Sequence, residues 1–204
     1  MGDRSYHFAA MSARPPLYSA RPDDTAELQR ALRICLCGMR PPAALSCGRA
    51  GFAEWVQREY LRVLAPHVIG VHCMALAGDA RGVAAADAAL RLPDTSAAAG
   101  RNLLAMREGA RPLPVMRKFA GAVAEGTACG HFATVMALQG ADFSIALLPL
   151  LQCVLYCEWR AAQPADAARD LNDFFRQAGS LLPSLASLLI PHAQDSAIPV
   201  ARLH

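Results

Sequence analysis

The sequence is short of everything from which a β-sheet is built. Only 6% of its 204 residues are aromatic, and β-branched runs stop at fragments such as Val68-Ile69-Gly70-Val71. Little or no sheet is expected. Charge bias is also small: a formal +3 spread along the chain lacks the clustered basic stripe of a nucleic-acid-binding domain. The one tight basic pair, Arg117-Lys118, reads as a solvated helix face. The most apolar stretch, Phe143 to Cys157, is interrupted by Ser144, Pro149 and Gln152. It falls short of the roughly 20 apolar residues that span a bilayer, so a core helix is expected there and no membrane contact. The first residues form no apolar segment of the signal-peptide kind, and the seven cysteines are odd in number and irregularly placed. Together these point to a reducing cytoplasm.

Signatures of catalysis and metal binding are missing as well. There is no Gly-x-Ser-x-Gly elbow, phosphate loop or dinucleotide fingerprint, which counts against an enzyme. The acids are scattered, mostly where they would cap helices, so paired-carboxylate chemistry has no seat. Cys35, Cys37 and Cys47 do not have zinc-site spacing. Thiols two apart on a helix point about 200° away from each other, and small buried residues are the better reading. Cys153 and Cys157, four apart, share one helix face and suit a core seam. His67, His72 and Cys73 are close in sequence but face different ways on a helix, with no neighbouring carboxylate to orient an imidazole. No catalytic residue, metal site or cofactor is expected.

What the chain does have is alanine, in a composition that is 54% hydrophobic. Alanine is the strongest helix former, and the length suits one core. The fold class expected is all-α: a single-domain bundle of about eight to ten helices over residues 24–190. Residues 1–23, with Arg14-Pro15-Pro16 and Arg21-Pro22 and no apolar period, are expected to form a mobile arm, and residues 191–204 a loose tail.

Helix signals divide the domain further. Asp24 can cap a first helix carrying Leu28, Leu32 and Cys35, and a second runs from Phe52 through Trp55, Val56, Tyr60 and Val63 until Pro66 breaks or kinks it. His67 to Ala77 ends at Gly78, and Asp79 opens an alanine-rich helix reaching Leu92. Asp94-Thr95-Ser96 offers capping side chains to a helix through Leu103, Leu104 and Met106, and the next helix is Val115 to Ala124. His131 to Leu138 forms a short helix ended by Gly140. Asp142 then caps the longest apolar helix, Phe143 to about Ala161, kinked at Pro149 unless the helix begins there. Two last helices, about Ala165 to Ala178 and Leu181 to Leu189, complete the set.

From about Gly51 to Pro191 the order and spacing of these pieces resemble the urease accessory protein UreF, an all-α family of similar length. Glu54-Trp55-Val56, Ala77-Gly78-Asp79, the alanine-rich Ala84 to Leu90 and Gly100-Arg101-Asn102-Leu103-Leu104 carry the first part of the likeness. Gly130-His131-Phe132-Ala133-Thr134-Val135 resembles the family's Gly-His-aromatic segment, with Gln139-Gly140 as the turn before a long core helix. Ile198 to His204 resembles the start of the family's Arg-His-containing tail. The family's Leu-Pro-x-Gly segment has no counterpart in Leu32 to Gly51, and its Pro-Leu-Gly-Gln stretch is missing after Arg160.

The resemblance implies a cytoplasmic, non-catalytic chaperone in nickel insertion, acting with UreD (also called UreH) and the nickel-carrying GTPase UreG on apo-urease. His131, Phe132, Gly100, Arg101, Arg202 and His204 are then the residues expected to serve partner binding. Two other readings of the residues stand beside it. One is a helical small-molecule-binding protein or enzyme with an apolar pocket and His131 or Cys129 as its polar element. The other is a helical regulatory or oligomerisation domain, a homodimer through a two-fold apolar patch.

Overall fold

The computed structural model describes residues 22–47, 51–107, 112–163, 171–178, 181, 184, 185 and 187–189. Among them every regular element is helical: α1 (Pro22–Cys35), α2 (Phe52–Trp55), a π segment (Val56–Leu64), α3 (Ala65–Leu76), α4 (Ala80–Ala89), α5 (Asp94–Ala105), α6 (Pro114–Ala124), α7 (Phe132–Asp142), α8 (Leu147–Ala162) and α9 (Leu171–Ala178). They form one all-α domain. The expected arm, apart from Pro22 and Asp23, lies outside the described residues, as do the tail, Arg202 and His204. Of the expected last helix only parts are described, with Leu185 buried. No described helix is long and apolar enough to cross a membrane.

Helix α7 is the axis of the domain. Every residue from Phe132 to Ala141 is buried, and α3, α5, α8 and α1 pack around it. Helix α8 closes the opposite side, with Trp159 at its far end inside a cluster of Tyr156, Phe174 and Phe175. Tyr156 meets Phe174 edge-on at 5.3 Å. Cys35, Cys153 and Cys157 are wholly buried where α1 crosses α8, consistent with small core residues.

Several boundaries differ from the sequence expectation, each for a physical reason. Helix α1 starts at Pro22 rather than behind an Asp24 cap; proline is well suited to a first turn, where its missing N–H costs nothing. Pro66 does not break the chain. The backbone stays helical from Phe52 to Leu76, and the π segment just before Pro66 carries the change, with Ala65 N–H reaching back to the Tyr60 carbonyl. The buried stripe there is Val56, Tyr60 and Leu64, while Val63 is exposed.

Gly140 does not end α7, which runs on to Asp142. A Cβ at Gly140 would come within 2.6 Å of the Leu150 side chain, so the missing side chain lets α8 pack close. The turn falls instead at Phe143 and Ser144, the latter at φ 54°. Helix α8 then starts at Leu147 with Pro149 in its first turn, the position a proline tolerates. Asp142 caps nothing: its carboxylate pairs with Arg107 and accepts from Leu113 N–H at 2.9 Å. Arg107 also lies over the Phe143 ring, 4.6 Å from its centroid. Helix α4 opens as expected, with the Asp79 side chain accepting from Gly82 N–H.

Candidate functional site

Three of the segments that carry the family resemblance meet at the start of α7. Gly130, at φ 76°, turns the chain so that the successive N–H groups of Cys129, Gly130 and His131 point the same way. Asp87 of α4 fills the resulting cup: Oδ2 accepts from Cys129 at 2.7 Å and Gly130 at 2.8 Å, and Oδ1 from His131 at 2.9 Å. Asp87 is fully buried. Three fixed donors replace the water that a buried carboxyl gives up.

Helix α5 locks the other side. Gly100 lies against the Gly130 carbonyl and the backbone of His131 and Phe132, where any Cβ would overlap main-chain atoms. Ser96 Oγ accepts from Phe132 N–H at 3.3 Å, and Arg101 donates to the Cys129 carbonyl at 3.1 Å. Asp94, Thr95 and Ser96 therefore do not cap α5, whose N-cap is Pro93. Ser96 holds α7, and the Thr95 hydroxyl donates to the Leu45 carbonyl at 3.1 Å.

Helix α3 adds an imidazole. His67 Nε2 lies 2.8 Å from Thr134 Oγ1. Burial drives the His67 pKa down to about 4, Asp87 opposes that shift and His131 adds to it. A carboxylate does accompany this histidine, then, but it comes from α4 and not from its own stretch of sequence. His131 is itself 4% exposed, and its Nδ1 has no hydrogen-bond partner. It does not bond a carbonyl as a helix-start histidine would. His72, two turns along α3, is also buried, and its pKa is lowered by burial against an opposing contribution from the Ile145 backbone.

Of the residues expected to serve partners, the structure thus joins Gly100, Arg101, His131 and Phe132. It covers three of them: Gly100, His131 and Phe132 are buried, and Arg101 alone is exposed. Any effect of the buried three on a partner passes through the shape of this joint. Sequence reading missed Asp87, Ser96, His67 and Thr134 as members. The lone acid of the Ala84 to Leu90 run was the available signal.

The joint is built to hold shape. The oxygens of Asp87 are engaged by backbone donors, and His67 is neutral at any pH above about 4. Among the described residues no three His, Cys, Asp or Glu side chains are grouped to hold a metal ion. A groove of about 290 Å³ lies away from it, between α1, the following loop, α8 and α9, lined by Leu32, Arg33, Met39 and Tyr156 among others; neither His131 nor Cys129 borders it. Comparison with protein-family models, curated proteins and solved structures gives no match to this chain.

Proposed function

We propose that this chain is a UreF-like urease accessory protein, a cytoplasmic non-catalytic chaperone that works with UreD and UreG on apo-urease. The observation that supports this reading is convergence. Three of the stretches that carry the resemblance lie far apart in sequence: the alanine-rich run with Asp87, the Gly100-Arg101 run and the Gly130-His131-Phe132 run. All three meet in one joint through Asp87, Gly100 and Arg101. A chance likeness between alanine-rich helices gives no reason for the matched pieces to touch.

A scaffold of this kind recognises partners by its surface. Leu76, Met106 and Phe143, the residues at or just past the ends of α3, α5 and α7, are exposed apolar side chains. The three helices run side by side in one direction, since the α5 and α7 starts meet at Ser96 and Phe132 and their ends at Arg107 and Asp142. His67 of α3 likewise meets Thr134 early in α7. Exposed apolar groups gathered at one end suit a protein partner.

The test is co-purification with UreD and UreG, read by size-exclusion chromatography with and without GTP and nickel, alongside an established UreF. A stable complex that is weakened by Leu76→Asp with Met106→Asp, in a chain that still folds, is the expected result. No complex, under conditions where the established UreF assembles, would overturn the reading.

A further inference from the structure

Gln139 is a polar side chain in the middle of the central helix α7. It is 0% exposed, and its Oε1 has no hydrogen-bond partner among the described residues. A buried amide oxygen left open in this way is costly and rare. The other end of the same amide is engaged: Nε2 donates to the sulfur of Cys37 at 3.6 Å. Cys37 lies just past the end of α1. There the Gly38 N–H returns to the Arg33 carbonyl and the Cys37 N–H to that of Ile34, the bonds of a helix end whose left-handed residue is usually glycine or asparagine. Here that residue, at φ 51°, carries a thiol. Cys37 is partly exposed, and its neighbours Leu36, Gly38 and Met39 line the groove of about 290 Å³. Of the other six cysteines, Cys35, Cys47, Cys153 and Cys157 are buried, and Cys73 and Cys129 are exposed. Among the described residues Cys37 alone combines access from solvent with a side-chain N–H at its sulfur.

We propose that Cys37 is a site of reversible oxidation by hydrogen peroxide, with Gln139 holding the sulfenic acid that forms. The thiol gives up its proton and the sulfur attacks one oxygen of the peroxide. An S–O bond forms as the O–O bond breaks. The sulfur loses two electrons, and the departing hydroxide takes the proton and leaves as water. The amide N–H suits the negative charge that the sulfur carries during the attack. The product then supplies a donor to the open oxygen: an S–O–H group on the sulfur that the same amide touches. One side chain thus serves both ends of the step, its nitrogen the thiolate and its oxygen the acid. A dithiol reverses the change, reducing the sulfur to the thiol, releasing the oxygen as water and ending as a disulfide. The mark falls where the end of α1 meets the central helix.

The test treats the full chain with hydrogen peroxide in the presence of dimedone, which alkylates sulfenic acids, and locates the label by mass spectrometry. Cys37 is expected to be labelled faster than the more exposed Cys73 and Cys129, and a dithiol added before the dimedone is expected to abolish the label. Gln139→Met fills the same space without the amide, and Gln139→Asn keeps an amide that is one methylene too short to reach the sulfur. In either variant, once circular dichroism shows it folded, labelling of Cys37 is expected to slow by roughly tenfold, the loss of one hydrogen bond to a charged group. Cys73 and Cys129 should keep their native rates and serve as internal standards. Labelling of Cys37 in the native chain that is no faster than that of Cys73 and Cys129 would overturn the proposal without any variant. So would a folded Gln139 variant whose Cys37 is labelled within about twofold of the native rate.

Discussion

Asp87 and Glu158 are both buried carboxyl groups at the middle or end of a helix, and neither is paired with an arginine or lysine among the described residues. Their donors differ. Asp87 receives three N–H groups from consecutive residues of a turn that Gly130 shapes and Gly100 clamps. Glu158 receives the Ser46 hydroxyl and the Cys47 N–H from the irregular segment that follows α1. A buried acid is as secure as the backbone that satisfies it. The first acid ties α4 to the head of the central helix, while the second ties a segment without regular structure to α8.

The comparison breaks most sharply at Asp87. Asp87→Ala leaves three N–H groups, two of them buried, without an acceptor, and at 1–3 kcal/mol each the loss is on the order of 5 kcal/mol. That is comparable with the whole stability of many domains, and denaturant unfolding should find the variant largely unfolded. Glu158→Gln keeps an acceptor for Ser46 and Cys47 and should cost about 1 kcal/mol or less at pH 7. Equal costs for the two would erase the distinction.

Gly100→Ala comes next, at roughly 3 kcal/mol, because the added Cβ meets main-chain atoms that cannot move alone. Gly140→Ala presses only on the Leu150 side chain and should cost about 1 kcal/mol. Gly121, exposed on α6 with nothing near its Cβ position, should be stabilised by alanine by about 0.5–1 kcal/mol. Thermal and denaturant unfolding of the three would rank them.

The pH dependence sharpens the contrast further. His67 falls to about 4 on folding from an ordinary 6.5, so the unfolded chain binds the extra proton. Its contribution is complete above pH 6.5 and is lost as pH falls toward 4, on the order of 3 kcal/mol. Glu158 rises from 4.5 to about 7, so the folded chain binds the extra proton. Its contribution is complete below pH 4.5 and is lost as pH rises to 7, by a similar amount. The two nearly cancel in the native chain. Relative to it, His67→Gln should gain stability on acidification from pH 7 to 4.5, and Glu158→Gln should lose it; urea unfolding across that range gives both slopes. Slopes of the same sign would contradict the assignment.

The helical class, the Asp79 cap, the start of α6 and the buried Cys153 and Cys157 were all readable from composition and spacing. Gly100 and Gly140 were not, at least not in their role. A glycine in a helical run reads as a breaker or a motif letter, whereas here each marks where another segment comes too close for a Cβ. Asp87 and Glu158 resisted reading because an acid on an amphipathic helix usually faces water, and only the distant turn or loop that satisfies it reveals otherwise. The same holds for Ser96, whose capping side chain is taken by Phe132. Partner identity lies still further from local signals.

The π segment before Pro66 also gives one rod two aspects. In an α-helix a strict four-residue repeat drifts around the axis by about 40° at each step. Through the π turns the buried stripe is Val56, Tyr60 and Leu64, and Tyr60 reaches the Leu151 carbonyl of α8 at 2.5 Å. Beyond Leu64 the ordinary pitch resumes, and His67 meets α7 instead. The bond from Ala65 N–H to the Tyr60 carbonyl spans one residue more than an α turn does, so this stretch sets the rotational phase between the part of the rod that faces α8 and the part that faces α7.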